Sequence, residues 1–287
     1  MANWGQSPTQ TLDWIEACLD LGITSFDHAD IYGGYTVEDL FGQALALKPS
    51  LRQRMQLITK CGIRLKHPNR PAHAIKSYDT SAAHVRASVD ESLRALRTDH
   101  LDTLLIHRPD ALTDPDELAD TFAGLRQAGK VLAFGVSNHS PGQFAALHRR
   151  VPLMTNQIEF SPLQMQALAD GTLEQATDLG LRPMIWSPLG GGRLFTGEDE
   201  QARRVRAALQ ALADMRGVSL ATAAFAWILR HPSRPLPITG SHRVEALREA
   251  VAALSVTLSA EEWWSVWQAS MGHEVASVSY THLTLPT

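Results

Sequence analysis

A parallel α/β barrel of the (β/α)8 type is the fold that this sequence predicts. Short apolar runs alternate with amphipathic segments along most of the chain, which is typical of parallel strands joined by helical crossovers. Six of these runs end in a polar or ionisable side chain, and the carboxyl ends of barrel strands meet at one mouth. Length also fits, because 287 residues suffice for one such barrel. We therefore expect a single barrel domain over residues 1–276, with a functional site at its mouth.

The first predicted elements are a helix over residues 9–21 and a strand over residues 23–29. Gly22 separates them, since glycine often follows the last turn of a helix. Apolar side chains of the helix fall on one face at helical spacing, namely Trp14, Ile15, Cys18 and Leu19. The strand is a short apolar run that ends in the polar sequence "DHAD", so it suits a barrel strand that delivers a carboxylate to the mouth.

The same alternation continues to the end of the barrel. Further strands are predicted where four to seven mostly apolar residues stand between turn signals: residues 55–60, 101–107, 131–137, 154–158, 182–187 and 236–239. Helices are predicted between them from the helical spacing of apolar residues: residues 37–47, 81–96, 116–128, 141–149 and 173–179, with two more inside 201–215 and 220–230. A Trp-rich helix, "SAEEWWSVWQAS", follows. Helices that regularly separate the strands require a parallel sheet.

The two ends of the chain depart from this pattern. Seven strands are predicted, whereas eight close the standard barrel, so the eighth is expected before the first helix, where only eight residues precede Thr9. We therefore expect an N-terminal truncation that removes a hairpin and the first strand, exposes unpaired strand backbone, and leaves the chain poorly soluble or inactive. At the other end, "VSYTHLTLPT" resembles the translation of a sequencing adapter. Residues 277–287 are predicted to be a non-native scar or a disordered tail.

Composition favours small-molecule chemistry. The formal net charge of −4 and the pI of about 6.3 give no electrostatic reason to expect a nucleic-acid or anionic-membrane partner. No long apolar segment or export signal stands in the sequence, so we predict a cytoplasmic protein that is a monomer or a weak oligomer. Cys18 and Cys61 suit reduced thiols better than a disulfide framework.

Four side chains at or near three successive strand ends are candidate catalytic groups. Tyr32 lies in the loop after the strand that ends near Asp27, and a phenol there could donate a proton. Because a free phenol has a pKa of about 10, an ammonium must favour its phenolate, and Lys60 at the next strand end can supply that charge. Asp27 is the expected counter-ion of Lys60. His107, on the following strand, could hydrogen-bond a substrate carbonyl. Taken singly, each residue has an ordinary structural role as the more common explanation, but their coincidence favours chemistry.

The later strand ends suit a cofactor. Ser137, Asn138 and Gln157 offer the donors and acceptors that a carboxamide needs. Trp186 presents a flat face on which a nicotinamide ring could stack, although a core-packing tryptophan is an equally good interpretation. Residues 187–195, "SPLGGGRLF", contain three glycines whose backbone amides could approach a pyrophosphate.

The last strand leads into a helix through "PITGSHR". Gly240, Ser241 and Arg243 lie there beside a helix N-terminus, which favours bound anions. Arg243 would suit a 2′-phosphate, so NADPH is favoured over NADH as the cofactor. A surface arginine with no ligand remains the alternative interpretation of Arg243.

The stretches "DHADIYGGY", "TKCGI", "DHLDTLLIHRPD", "GKVLAFGVSN", "TNQIEFSPL", "PMIWSPLGGGRLF" and "LPITGS" resemble the aldo-keto reductase superfamily, most closely its bacterial YdhF-type oxidoreductases. The resemblance runs from about residue 4 to residue 276. It implies a (β/α)8 barrel that binds NADPH without a Rossmann motif and reduces a small-molecule carbonyl reversibly. It also assigns residues to roles: Asp27, Tyr32, Lys60 and His107 match the catalytic tetrad with Tyr32 as general acid; Ser137, Asn138 and Gln157 match the carboxamide-binding positions; Trp186 matches the stacking aromatic; Ser187, Leu189 and Gly190 match the start of the cofactor loop.

One position departs from the superfamily pattern. Many relatives carry Glu-Asn in the helix after the last strand to hold adenine, whereas Glu249 and Ala250 stand here.

Two other functions remain open from the sequence. A catalytically weak nucleotide-binding or regulatory protein on the same fold is the main alternative. A metal-dependent hydrolase using His28, Asp30 and His107 is a third hypothesis, although the sequence lacks an H-x-H pair and histidines at other strand ends.

Overall fold

The computed structural model describes residues 5–276. Residues 1–4 and the predicted tail at 277–287 lie outside that part. The first half contains helices α1 to α4 and strands β1 to β5: α1 Pro8–Asp20, β1 Ser25–Asp27, α2 Val37–Leu47, β2 Gln56–Cys61, β3 Ile63–Arg64, β4 Ser77–Tyr78, α3 Ala82–Leu96, β5 Leu101–Ile106 and α4 Pro115–Gln127. The second half continues with β6 Val131–Ser137, α5 Pro141–His148, β7 Asn156–Glu159, α6 Thr172–Asp178, β8 Met184–Trp186, α7 Arg193–Thr196, α8 Glu200–Arg216, α9 Leu220–Leu229, β9 Leu236–Pro237, α10 Val244–Ala252 and α11 Ala260–Met271.

Local sequence explains where the helices begin. Helices α1, α5 and α11 start with a capping box, in which the N-cap serine and a Gln or Glu three residues later bond each other's backbone amides. The N-cap serines are Ser7, Ser140 and Ser259. Helix α4 starts at Asp114, whose carboxylate accepts from two backbone amides of the first turn. These caps fix the helix starts, and so they set the lengths of the connections between strands and helices.

Seven strands form one parallel sheet in the order β1-β2-β5-β6-β7-β8-β9. Asp27 stands opposite Ile58 and Lys60 opposite Leu105, so β1, β2 and β5 end at the same edge of the sheet. Within residues 5–276, β1 and β9 each pair with one neighbour only. The sheet is curled, because a side chain on β7 reaches across to hydrogen-bond one on β1, although three strands lie between them in the sheet order. This is the sheet of a (β/α)8 barrel.

The hydrophobic core has an outer and an inner part. Outside the sheet, the helices pack on the strands in two clusters, one over the first half of the chain and one over the second. Stacked rings stabilise both, since Phe122 lies parallel to Phe134 and Trp227 parallel to Trp263. The inner cluster is smaller and fills the space inside the curled sheet with Ile58, Leu105, Met184 and Ile238. The mouth therefore has an apolar floor.

The predicted fold class is confirmed, and the observed bounds of the predicted strands differ from the expected ones by no more than two residues. Two features went unpredicted: the short helix α7, and a short antiparallel ribbon that β3 and β4 form beside the mouth. Its strands are only two residues long, so no periodic signal exists in the sequence. Cys18 and Cys61 are buried free thiols, as expected.

Among residues 5–276, no single helix is both long and apolar enough to cross a bilayer. Helices α8 and α9 pass the length and composition test only when taken together, and they meet at a bend of 97°.

Candidate active site

Lys60 is the centre of the site. It lies near the end of β2, its side chain is fully buried, and its ammonium donates three hydrogen bonds. The acceptors are Asp27 Oδ2 at 2.6 Å, the backbone oxygen of His28 at 2.7 Å and the Tyr32 hydroxyl at 3.2 Å. A lysine ammonium has three protons to donate, so this group is fully satisfied. The expected contacts of Lys60 with Asp27 and Tyr32 are therefore both present.

The protonation state of Lys60 follows from two opposed effects. Burial disfavours the ammonium, whereas attraction to Asp27 and Tyr32, together with the hydrogen bonds to both, favours it. The favourable effects are larger in sum, and the pKa of Lys60 is raised above its ordinary value. Lys60 is thus a cation in a position from which water is excluded, so its charge acts strongly on neighbouring groups.

Asp27 connects Lys60 to the opposite side of the barrel. It is the last residue of β1, and its other carboxylate oxygen accepts a hydrogen bond of 3.0 Å from Gln157 Nε2 on β7. Only 11% of the Asp27 side chain is exposed, so the carboxylate cannot turn away from either partner without losing a bond. Sequence reasoning placed Gln157 with the cofactor groups and did not foresee this contact.

Tyr32 is held at the mouth by the turn that follows β1. Its ring is 37% exposed, which leaves one side open to solvent while the hydroxyl faces Lys60. Gly34, two residues on, has a φ of +66° and passes so close to His67 that an added Cβ would lie 2.4 Å from the imidazole Nε2. Glycine is required there, because a side chain would clash and strain the turn that orients Tyr32.

His107 completes the group. It follows β5 directly, its backbone amide bonds the Cys61 carbonyl at 2.8 Å, and its ring stands edge-on to Tyr32 with the ring centroids 5.9 Å apart. Burial, and secondarily the charges of Lys60 and Arg108, lower the pKa of His107 to about 3. His107 is therefore a neutral imidazole at pH 7, able to donate one hydrogen bond without contributing charge.

The structure thus brings together Asp27, Tyr32, Lys60 and His107 around one point of the mouth. Chemically, the arrangement can deliver a proton from a phenol to a substrate oxygen, because a fixed ammonium stabilises the negative charge left on the phenol oxygen. None of these contacts requires a ligand to form.

The residues predicted to bind a carboxamide lie at the ends of the neighbouring strands β6 and β7. Asn138 has a positive φ of 56°, and its side chain links Ser137 to Trp186: Nδ2 donates to Ser137 Oγ at 2.7 Å, and Oδ1 accepts from Trp186 Nε1 at 3.0 Å. Ser137 Oγ also donates to the Gln157 carbonyl at 2.9 Å. Ser137, Asn138 and Trp186 are therefore brought together, with the tryptophan ring half-buried at the edge of the mouth.

The glycine segment after β8 forms an open loop. Ser187 and Gly190 both have positive φ angles, and the Gly190 amide bonds the Ser187 carbonyl at 2.8 Å, with half-buried Leu189 between them. Nothing lies within 4 Å of a Cβ built on Gly191 or Gly192. A ligand could therefore approach the backbone of Gly191 and Gly192 closely, although the Gly192 amide already bonds the Leu189 carbonyl at 3.2 Å.

The turn before α10 is the most exposed part of the predicted set. Ser241 Oγ accepts from the Arg243 backbone amide at 3.1 Å, and Arg243 is the N-cap of α10 without a side-chain cap of its own. Arg243 and Gly240 are exposed to solvent, and nothing lies within 4 Å of a Cβ built on Gly240. Glu249 and Ala250 lie within α10 itself.

Two buried acidic residues near the tetrad have raised pKa values that the sequence did not indicate: Asp30, considered only as a metal ligand, and Glu38. Asp30 follows His28 in the same loop, and burial, reinforced by Glu38, raises its pKa to about 8. Glu38 accepts from Thr59 Oγ1 at 2.5 Å and from Ser92 Oγ at 3.0 Å. For Glu38, the only signal in the sequence was an acidic side chain beside apolar neighbours, which fits an exposed helix start equally well.

The metal-site hypothesis is not supported by the geometry. Across residues 5–276, no three His, Cys, Asp or Glu side chains lie close enough together to hold a metal ion. His28 packs its ring edge-on against Phe41, with centroids 4.5 Å apart, and burial lowers its pKa to about 3. His28 is thus a core histidine.

Comparison with known proteins identifies the family of this chain. The sequence matches the Aldo/keto reductase family over residues 1–270. It is 47% identical over 277 residues to oxidoreductase YdhF of Escherichia coli (strain K12), covering 96% of this chain and 92% of YdhF. It is also 43% identical to a 6-dehydroglucose reductase of Agrobacterium fabrum, covering 94% of this chain and 91% of that protein. A crystal structure of an aldo/keto reductase from Klebsiella pneumoniae in complex with NADP and acetate superposes with a TM-score of 0.76 at 26% identity, over 99% of this chain and 92% of that one.

The match spans almost the whole chain, and the relatives are too similar in sequence for the likeness to reflect the barrel alone. From sequence, fold and site together, this chain belongs to the aldo/keto reductase family and is an oxidoreductase.

Proposed function

We propose that the protein catalyses the reversible, NADPH-dependent reduction of an aldehyde or ketone to an alcohol, with Tyr32 as the general acid. One observation supports this most strongly: the buried Lys60 ammonium donates to Asp27 at 2.6 Å and to the Tyr32 hydroxyl at 3.2 Å. A purely structural ion pair would need only the first bond. The second one aims a cation at the partly exposed phenol of Tyr32.

The proton step follows from these contacts. Tyr32 gives its hydroxyl proton to the oxygen of the carbonyl substrate, so that the oxygen becomes an alcohol. The phenolate that remains is stabilised by Lys60, whose hydrogen bond strengthens once its acceptor is charged. Asp27 keeps the ammonium in place and protonated throughout. In alcohol oxidation, the same phenolate accepts the proton.

His107 orients the substrate. Its neutral ring stands beside Tyr32, and it can donate a hydrogen bond to the same carbonyl oxygen. Because His107 stays neutral far below pH 7, it adds no positive charge that would oppose the Lys60 ammonium. Two donors that converge on one oxygen fix its position and polarise the carbonyl bond.

The residues on the other side of the mouth fit a nicotinamide dinucleotide. Gly191 and Gly192 form a cradle open enough for a pyrophosphate, and Ser137 with Asn138 presents polar groups of the kind that bind a carboxamide. Trp186 would stack on the nicotinamide ring. Further proposed contacts come from Gln157, Ser187, Leu189, Gly190, Gly240, Ser241 and Arg243. When bound, the cofactor supplies the hydride that adds to the carbonyl carbon.

NADPH is proposed rather than NADH because Arg243 stands, exposed, at the N-terminus of α10. A guanidinium combined with the free amides of a helix start suits a 2′-phosphate. The related enzyme of Klebsiella pneumoniae was crystallised with NADP, which supports the same choice.

Replacing Tyr32 with Phe tests the proposal. NADPH oxidation with a panel of aldehydes, followed by absorbance, should fall by about 100- to 10,000-fold in kcat because the proton donor is lost. NADPH binding, measured by fluorescence, should change little. Tyr78→Phe is the matched control, since Tyr78 is an exposed tyrosine on β4, and we expect it to keep wild-type activity.

Two results would contradict the proposal. Undiminished reduction in Tyr32→Phe would remove the general acid from its role. A wild-type protein that binds NADPH but reduces no carbonyl compound would favour the alternative, a nucleotide-binding regulatory protein.

A further inference from the structure

Arg108 occupies an unusual position at the mouth. It directly follows His107, it is half-buried, and its guanidinium carbon lies over the ring of Trp186 at 5.5 Å from the centroid. Trp186 is in turn bonded to Asn138. Arg108 therefore bridges the proposed proton-donating side and the proposed cofactor side, close to where a substrate must enter.

No acidic side chain neutralises Arg108 by contact. Within the described residues, no carboxylate oxygen lies within 4.0 Å of its guanidinium nitrogens. By contrast, Arg64 pairs with Asp79, and Arg70 pairs with Glu91. With the residues from 5 to 276, the Arg108 guanidinium forms no hydrogen bond either. Stacking on the indole positions the group while its planar row of donors stays free.

Glu159 carries an opposite charge that Arg108 attracts, but this attraction is weaker than the effect of burial on Glu159. Glu159 stands opposite Trp186 in the β7–β8 register and has a half-buried side chain. Burial raises the pKa of Glu159, and the attraction of Arg108 offsets this effect only in part. A close ion pair would reverse that balance, so the guanidinium keeps its charge available.

The other charges around the proposed carbonyl position cancel. Lys60 is matched by Asp27 at 2.6 Å, and His107 is neutral because its pKa is lowered to about 3. Arg108 therefore supplies the uncompensated positive charge of this region. One guanidinium suits one carboxylate, which it can bind with two parallel hydrogen bonds. A phosphate dianion would bring a second negative charge toward the partly buried Glu159, which a single guanidinium does not match.

We propose that Arg108 determines substrate specificity by binding a carboxylate, so that the preferred substrates are carbonyl compounds that carry a carboxylate group within the same molecule. This inference rests on the proposed carbonyl reductase function. It assigns Arg108 to substrate recognition, distinct from the proton transfer of Tyr32.

Matched pairs of substrates test it. Succinic semialdehyde and butanal share a four-carbon aldehyde chain, and D-glucuronate and D-glucose share a sugar chain, so each pair differs by a carboxylate. We expect wild-type kcat/KM to be at least about tenfold higher for the carboxylated member of each pair. Arg108→Gln should lower kcat/KM for the carboxylated members by about 10- to 100-fold and for the neutral members by less than about threefold.

Two further variants sharpen the result. Arg108→Lys keeps the charge but loses the planar fork, and we expect an intermediate loss on the carboxylated substrates. Arg64→Gln removes a neighbouring arginine that already has an acidic partner, and it should leave the ratio within each pair unchanged. The Kd of NADPH, measured for every variant, separates an effect on the cofactor from one on the substrate.

A binding measurement makes the test independent of turnover. Calorimetric titration of the NADP-loaded protein with succinate, and with 1,4-butanediol as the uncharged counterpart, should show succinate binding that weakens about tenfold or more in Arg108→Gln. Absence of succinate binding to the wild type would overturn the inference. Equal losses on charged and neutral substrates, or a change confined to NADPH affinity, would overturn it as well. If all carbonyl compounds remain unreduced by the wild type, the proposed function fails instead, which is a different outcome.

Discussion

The two sides of the barrel mouth are built differently. On the side of β1, β2 and β5, the Lys60 ammonium has all its hydrogen-bond partners inside the protein and is fully buried. On the side of β6 to β9, the glycine loop has open space at Gly191 and Gly192, and Arg243 is exposed. The first side is closed and internally bonded. The second side combines hydrogen-bonded polar groups with an open glycine loop and an exposed arginine.

Two contacts couple the sides. Gln157 reaches from β7 to Asp27, and Arg108 covers Trp186. A ligand that contacts Gln157 or Trp186 therefore contacts a residue that itself touches the opposite side. Through Gln157, ligand binding can change the position of Asp27, the counter-ion of Lys60. The difference between the sides predicts that substitutions on the first will alter stability and chemistry together, whereas those on the second will alter affinity alone.

The largest effect is expected for Lys60→Met, which should break the organised side. Asp27 would keep its place with only Gln157 as a side-chain partner, and loss of one member of a buried ion pair costs about 3 to 5 kcal/mol of stability. kcat should fall by about 100- to 10,000-fold because the phenolate loses its stabilising cation. Urea unfolding and NADPH oxidation measure the two effects.

The double variant Lys60→Met with Asp27→Asn is its control. Removing both charges should restore much of the stability, since no unpaired buried charge remains, but activity should stay low. Recovery of both properties would show that the organised side is needed for folding only.

An intermediate effect is expected from the pH dependence of stability. The pKa of His28 is lowered to about 3, chiefly by burial, whereas an unfolded histidine titrates near 6.5. The unfolded state therefore binds more protons in this range, and the stability due to His28 is lost as pH falls from about 6.5 toward 3. Each pH unit costs about 1.4 kcal/mol. His28→Asn should flatten the acid side of the stability curve by this slope, as measured by urea unfolding between pH 4.5 and 7.

Asp30 contributes to the same curve with the opposite sign. Its pKa is raised to about 8, so the protein loses the stability due to Asp30 as pH rises from about 4 to 8. Asp30 is present in both proteins, so it cancels from the comparison. Parallel curves for wild type and His28→Asn would contradict the expectation.

The smallest effect is expected on the open side. Arg243→Gln should weaken NADPH binding by about tenfold and leave NADH binding unchanged, because only NADPH carries the 2′-phosphate. The global stability should not change, since Arg243 is exposed. Fluorescence titration with each nucleotide measures the ratio, and Arg248→Gln, an exposed arginine on the same helix, is the matched control. Equal weakening of both nucleotides would contradict the proposed phosphate contact.

Much of this molecule was predictable from local patterns. The alternation of apolar runs with helical segments predicts the parallel sheet, and the family resemblance rests on the same strand ends. The contact of Lys60 with Asp27 was predictable because parallel strands that neighbour each other bring their carboxyl ends together, so charges two elements apart in sequence meet.

Contacts across the barrel were not predictable in this way. Gln157 and Asp27 are 130 residues apart, and nothing in either neighbourhood indicates that the sheet curls far enough to join them. The stacking of Arg108 on Trp186 depends on the same curvature. The raised pKa of Asp30 was equally hidden, because the burial of this loop residue depends on packing from several elements.

The sequence by itself determined the fold class, the order of the elements and the set of polar side chains at the strand ends, because periodicity and turn residues act over a few neighbouring positions. Only the tertiary structure decided which of those side chains meet, which carry charge and which stay open. Those properties depend on the curvature of the sheet and on burial, and both arise from contacts between residues far apart in the chain.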